Sequence, residues 1–300
     1  MIRTSVSLLL VIAVFILVAS GPSLIRMESN EIHLHPEALF QSLAEMGDRA
    51  VNGTLMKYQA GRAYHKLNET LPVYFMISLR YILFSALLSL LIGVSLAFLT
   101  SFRQGRLITS VIEFLHIIPD FVLAFFLQIM VIAITQATGY RIARIAHMSE
   151  ASPAYTLPIA VMTIVATVLI IRGVHGYLEE VKSQDYMRFA IAKGLSKPRL
   201  ISTHLLVPIL YKLRGDLHGL LSLLIGNLFI IERIFNIPGV TNFLFHNAFQ
   251  KISTSLIDGN IQFVTQLHVA LSGLLSIVVI YWLLYGLISL ILTLVIRWRE

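Results

Sequence analysis

Six long apolar runs constrain this chain more than any other feature of its sequence. They cover about residues 6–25, 73–100, 108–136, 156–171, 217–231 and 267–296, and most of the charges fall between them. Runs of this length span a hydrocarbon core of about 30 Å, upright or with some tilt and help from flanking residues. Lipid offers no partner to a backbone N–H or C=O, so only helices and closed barrels cross it. The runs lack the two-residue alternation of barrel strands. The expected fold is therefore all-α: a polytopic membrane protein with six transmembrane helices. The alternative, a soluble helical protein with a very apolar core, fits poorly. Charged residues are 13% of the chain and hydrophobic ones 57%, against about 25% and 45–50% in soluble proteins.

The formal net charge of +7 would raise the question of nucleic acid in a soluble protein. In a membrane protein it points instead to cytoplasmic loops facing anionic headgroups, and no nucleic-acid partner is expected. Arg172, Lys182, Arg188, Lys193, Lys197, Arg199, Lys212 and Arg214 crowd one inter-run segment, and Arg297 and Arg299 end the chain. Placing both termini in the cytoplasm puts all of these inside. The first run reads either as a retained span or as a cleavable signal peptide, with Arg3 before it and Val-Ala-Ser-Gly at 18–21. Residues 26–71 then form an external segment, expected to be a small, partly helical cap. His33 and His35 lie there, but two residues apart on a strand they face opposite sides, and no third ligand clusters with them. No metal site is expected. The chain has no cysteine, which excludes disulfides and zinc–thiolate sites. It has no H-E-x-x-H and no visible nucleophile motif, so no catalytic residue is assigned.

The basic segment 172–214 is itself patterned. Asp185 suits a helix first turn and Gly194 a helix stop that turns with positive φ. Met187, Ala190, Ile191 and Gly194 follow the i, i+3, i+4, i+7 spacing of one helical face. Ser196 then caps a second helix, with Pro198 in its first turn. From this pattern alone, the helix pair either rests its apolar face on the membrane or docks on another protein.

The stretch Tyr186-Met-Arg-Phe-Ala-Ile-Ala-Lys-Gly-Leu-Ser closely resembles the coupling loop of ABC-importer permeases, in the dipeptide/oligopeptide and nickel branch. Tyr186, Arg188, Ala190, Ala192, Lys193, Gly194 and Leu195 occupy the places of its pattern, and His204 also fits. Downstream, Glu232, Phe235, Pro238 and Gly239 match the family's Glu-x-x-Phe-x-x-Pro-Gly segment. Ile118-Pro-Asp-Phe-Val122, Leu71-Pro72 and Gly93 resemble pieces further upstream. The likeness covers roughly residues 70–300, which divides the chain into 1–70, a first span with its external loop, and 71–300, a permease domain with its coupling loop at 172–214. It departs from the family in lacking the Pro-Gly-Asp-Pro stretch after the first span, in Pro208, and in Asp120 where a small hydroxyl residue is usual.

This resemblance implies a multi-pass permease subunit of the bacterial or archaeal cytoplasmic membrane, one half of the pathway for a small peptide or related solute. The chain has no G-x-x-x-x-G-K-[ST] phosphate loop, so ATP would be bound by partners and the chain itself would be neither an enzyme nor a cofactor binder. The implied partners are two ATP-binding-cassette ATPases, a second and different permease chain, and an extracytoplasmic solute-binding protein. Tyr186, Met187, Arg188, Ala190, Ile191, Lys193 and Gly194 would make the ATPase contact. Met187, Ala190, Ile191 and Gly194 would form its buried part, with Arg188 and Lys193 steering partner choice.

Glu113, His116, Asp120, Gln128 and Thr135 are spaced along one face of the third run. Carboxylates within a bilayer are costly, so this face should meet protein or water. Asp120 and Gln128, with Glu113 nearer the cytoplasm, are candidate pathway residues. The alternative is that Pro119 breaks the helix and Asp120 caps its continuation, satisfying the backbone groups so freed. Glu232, Pro238 and Gly239 are expected to be structural. A self-contained secondary transporter or channel is the alternative function, with the polar face of the third run as its pathway.

Overall fold

The structure, a computed structural model, describes residues 13–28, 31–61, 63–102, 106–147, 154–253 and 261–299. Arg3 and the start of the first apolar run lie outside the described residues. What is described of that run is a short apolar helix, α1 (Ala13–Leu24). Among the described residues, five further helices are long and apolar enough to cross a membrane: α3 (Leu67–Phe102), α5 (Asp120–Thr138), α6 (Thr156–Lys182), α10 (Leu217–Ile234) and α12 (Leu267–Arg299). The chain is a polytopic, predominantly helical membrane protein.

The chain packs as two compact units. The first comprises Met1–Ser78 with Pro238–Val279. Here the external segment contains more than a helix. The helix α2 (Glu37–Val51) is joined by β1 (Ile25–Glu28), β2 (Glu31–Leu34) and the hairpin β3 (Lys57–Ala60)–β4 (Ala63–Lys66). Later in the chain, the short α11 (Val240–Phe243) and a wide π-helical turn (Leu244–Ala248) lead to β5 (Phe249–Ser253) and β6 (Ile261–Thr265). The sheet order is β2-β1-β6-β5, antiparallel throughout, with Arg26 opposite Gln262 and Lys251 opposite Phe263.

Gln266 fastens the hairpin to this unit. Its side-chain oxygen accepts from the Gln59 N–H at 2.9 Å, and its nitrogen donates to Gln59 O at 2.7 Å and Asn247 O at 2.9 Å. One buried amide thus satisfies three backbone groups. His35 Nδ1 pairs with Glu37 Oε1 at 2.8 Å, and among the described residues no three ligand side chains cluster.

The second unit comprises Leu79–Ile237 with Ile280–Glu300. The third apolar run is divided here into α4 (Arg106–Ile117) and α5. Pro119 takes an extended ψ of 144° and begins α5, its carbonyl accepting from Val122 and Leu123 at 3.0 and 3.1 Å. Proline has no N–H to continue a helix, and it disfavours helical geometry in the residue before it. The α6 helix is the most enclosed of the five, with 61% of its most apolar stretch buried against 17% for α5.

Close approach of α3 to α6 depends on Gly93. A Cβ there would stand 2.8 Å from Ile170 Cγ2, a distance no real contact tolerates. Small residues at such crossings let helix backbones come together where lipid gives no hydrophobic drive for association. The carbonyl of Ala154, just before α6, accepts a 2.8 Å bond from the buried Tyr81 hydroxyl on α3. Gly93→Ala should destabilise the purified protein by about 1–3 kcal/mol, read as a lower midpoint in detergent thermal unfolding. Gly176→Ala on α6, where an added Cβ meets nothing within 4 Å, should keep or raise that midpoint.

Candidate functional site

The α6 helix does not stop where its apolar run ends at 171. It continues to Lys182, about 16 Å further at 1.5 Å per residue, and delivers α7 (Asp185–Ala192) to the end of the second unit that carries the basic segment. Gln184 is extended at φ −72°, ψ 147°, and Asp185 opens the first turn of α7, where a carboxylate favours the helix dipole. The helix ends at Gly194 with φ +74°, its N–H returning to Ile191 O at 2.9 Å. Glycine adopts this left-handed stop without steric cost.

Ser196 O then accepts from Leu200 N at 2.9 Å to start α8 (Lys197–Leu200). A single π turn (Ile201–Leu205) follows, with Leu206 N donating five residues back to Ile201 O, and leads into α9 (Leu206–Gly215). Pro208 accounts for this widening: it has no N–H to give to His204 O, so the regular ladder cannot pass through that position. The element is braced back onto α6. Lys212 on α9 forms an ion pair with Glu180, and its ammonium lies 5.1 Å from the centre of the Tyr177 ring. The Tyr186 ring stands 6.4 Å from His204.

The four-residue apolar face of α7 divides in two. Met187 is 0% exposed and Ala190 4%, because α7 packs that side against its own chain. They face the packing of their own chain, whereas the resemblance implied that they form the buried part of an ATPase contact. The surface that α7 does present consists of Tyr186, Phe189 and Ile191, which are 47%, 63% and 55% exposed, with Gly194 open at its end. Lys193 lies 4.6 Å above the Phe189 ring, and Arg188 is 3.9 Å from Asp185. The pattern 186, 189, 193 is as helical as 187, 190, 194. Aromatic residues opposite the small-residue stripe were the available signal.

Most of the polar residues of the third run are brought against partners in this chain. His116 meets the Arg172 guanidinium of α6. The Asp120 carboxylate interacts with the side chain of Asn227 on α10, although the buried Asn227 amide nitrogen makes no hydrogen bond of ordinary geometry. Gln128 Nε2 donates to Ile145 O at 2.8 Å and ties down the segment after α5, and Thr135 bonds its own helix at Val131 O, 2.7 Å away. Glu113 is exposed on α4 and forms no ion pair among the described residues.

The segment Glu232–Gly239 is a helix stop. Ile237 N donates to Glu232 O at 2.8 Å and Asn236 N to Arg233 O at 3.4 Å, with Asn236 at φ +52°. This is the Schellman arrangement with asparagine in the glycine position. Pro238 follows, and Gly239, extended at ψ −177°, leads into α11. The Glu232 side chain is fully buried. The stop also receives the segment after α5: His147 N donates to Phe235 O at 2.8 Å and Asn236 Nδ2 to His147 O at 3.3 Å.

A sequence profile for the binding-protein-dependent transport system inner membrane component family matches residues 89–300, more than half the chain, including α7, Gly194 and the helix stop. The chain belongs to this family. Among curated relatives, the dipeptide transport system permease protein DppB of Bacillus subtilis is 27% identical over 66% of this chain and 63% of its own length. A putative peptide transport system permease protein of Brucella abortus is 30% identical over 40% of this chain and 38% of its own. The DppB of Escherichia coli K12 is 27% identical over 52% of this chain and 42% of its own. The chain therefore spans less than two thirds of the length of the curated relatives it matches. Within this binding-protein-dependent family member, Asn236→Val should lower stability by about 1–2 kcal/mol through left-handed strain. Asn236→Gly should keep or raise it, both being read by thermal unfolding in one detergent.

Proposed function

We propose that this chain is the membrane-spanning permease subunit of an ATP-binding-cassette importer, forming half of a pathway for a small peptide. The observation that carries this reading is the α7–Gly194–α8 element. It is an exposed aromatic and basic surface, on a family-matched segment, held at the end of a continuous helix that reaches into the bundle. The peptide cargo follows from the names of the relatives, which are dipeptide and peptide permeases.

In this reading both termini and α7 are cytoplasmic, and the membrane is the cytoplasmic membrane of a bacterium or archaeon. Two ATPase subunits supply the energy, and Tyr186, Phe189 and Ile191 insert in one of them, with Arg188 and Lys193 selecting it by charge. Met187 and Ala190 hold the surface in shape from within, and Gly194 lets the chain turn at its exposed end. ATP binding shifts the balance between inward- and outward-facing states. An extracytoplasmic binding protein delivers the cargo, and a second, different permease chain covers the apolar side of α5, where Phe121, Phe125, Phe126 and Ile129 are exposed. Asp120, Gln128 and Glu113 border the pathway on α4 and α5.

Affinity capture of the tagged full chain from mild detergent tests this. Wild type should bring down a P-loop ATPase. Phe189→Asp and Gly194→Asp, correctly inserted, should recover about tenfold less, as expected for a contact worth over 1.4 kcal/mol. Met187→Ala should act differently, lowering the chain's own stability by about 2–5 kcal/mol. No ATPase captured by wild type, together with solute movement by the chain alone in vesicles, would replace the reading with a secondary transporter.

A further inference from the structure

A second feature of the bundle lies apart from α7 and touches the polar face of α4 and α5 through His116. Where α6 passes the start of α10, a cleft of about 580 Å3 opens between α3, α6, α9 and α10. That volume falls within the roughly 300–1,000 Å3 usual for small-molecule sites. Its walls are leucine and isoleucine, among them Leu90, Leu169 and Leu220, and it contains one cation and one anion, Arg172 and Asp216. Arg172 stands sixteen residues into α6, about 24 Å from its start, and Asp216 directly precedes α10.

The two charges do not neutralise each other, for neither forms an ion pair among the described residues. Asp216 sits at the cap position of α10, yet its side chain makes no capping bond. Arg172 spends one guanidinium nitrogen on His116, and the rest of its donors meet no protein acceptor among the described residues. Both side chains are exposed and stand at the two ends of the basic segment read above as cytoplasmic, so a water-soluble ligand can reach them. Opposite charges on one apolar-walled cleft are best satisfied by a ligand that carries both complements.

The floor is shaped for occupancy. Gly173, Gly215 and Gly219 line the cleft, and an added Cβ at any of them would meet nothing within 4 Å. None of the three glycines is needed for helix packing; they leave room.

We infer that this cleft is a binding station for a short zwitterionic peptide, with Arg172 taking the terminal carboxylate and Asp216 the terminal ammonium. The inference rests on the proposed permease role and names the chemistry of its cargo: both termini free, side chains tolerated by apolar walls. A planar guanidinium suits a carboxylate because it offers two parallel donors.

The absence of native cysteine makes a direct test possible. Gly219→Cys in the full chain, reconstituted in nanodiscs, gives a single thiol on the cleft wall. A charged, membrane-impermeant methanethiosulfonate should modify it. Trialanine should slow that modification, whereas N-acetyl-trialanine amide should not. Adding Arg172→Gln or Asp216→Asn should raise the trialanine concentration needed by about tenfold, the loss of one charge-assisted contact. Asn52→Cys, exposed at the end of α2, controls for folding and reagent activity and should be modified with or without peptide.

Failure to modify Gly219→Cys while Asn52→Cys reacts would place the cleft against lipid and overturn the inference. Equal protection by the blocked peptide would make it a plain apolar groove, and equal protection by acetate or phosphate a plain anion site; either result also overturns it. ATPase capture from the same preparation separates the two readings. Captured ATPase without protection removes the station and keeps the permease, while protection without captured ATPase keeps a peptide site in a different kind of carrier.

Discussion

A backbone that enters lipid must carry its own hydrogen-bond partners, and in this chain the consequence is felt at every place where a helix stops. Pro119, Gly194, Asn236 and the π turn ahead of Pro208 are all points where the i→i−4 ladder fails. Each is repaired locally: the Pro119 carbonyl collects two N–H groups, Gly194 and Asn236 turn left-handed and return their amides to the helix they end, and Leu206 reaches one residue further back to Ile201. The breaks divide long apolar runs into elements that can lie at different angles. That turns a bundle of rods into a structure with the α7–α9 element at one end and a separate α4–α5 wall.

Side-chain polarity follows the same constraint. Asp120, Gln128, His116 and Arg172 would each be expensive facing hydrocarbon. The fold sets His116 beside Arg172, Asp120 beside Asn227, and Gln128 against a carbonyl of the segment after α5. A polar stripe along α4 and α5 therefore serves two ends at once. It fixes α4 and α5 against α6 and α10, and it keeps that side of the bundle from being a lipid surface. Glu113 has no ion-pair partner among the described residues, consistent with a position at the edge of the bundle.

Much of this architecture was legible in the sequence because apolar run length and helix stops are local signals. The helices, the left-handed turn at Gly194 and the break at Pro119 all follow from neighbouring residues. The strands were not legible. Residues such as Ile25–Glu28 and Ile261–Thr265 are too short to show a period, and their pairing joins positions more than two hundred residues apart. The inward side of α7 was not legible either, since Met187 and Ala190 would form the same stripe whether they met their own chain or another. Only the packing of α7 against α6 distinguishes the two. For the same reason Arg172 and Asp216 look in sequence like ordinary boundary charges; their sharing of one cleft depends on how α6 and α10 cross.

The uninterrupted passage of α6 from the bundle to the start of α7 has a further consequence. An α-helix has phase as well as length: one added residue advances it by 1.5 Å but turns everything beyond it by about 100°. The direction in which Phe189 points is therefore encoded in the number of residues between Gly93's contact at Ile170 and the bend at Gln184. Substitutions along that stretch trade one surface for another, but a single insertion would swing the aromatic face of α7 away from any fixed socket. Residue spacing along α6 is thus a form of information separate from residue identity, and evolution can adjust it only in steps close to a full turn.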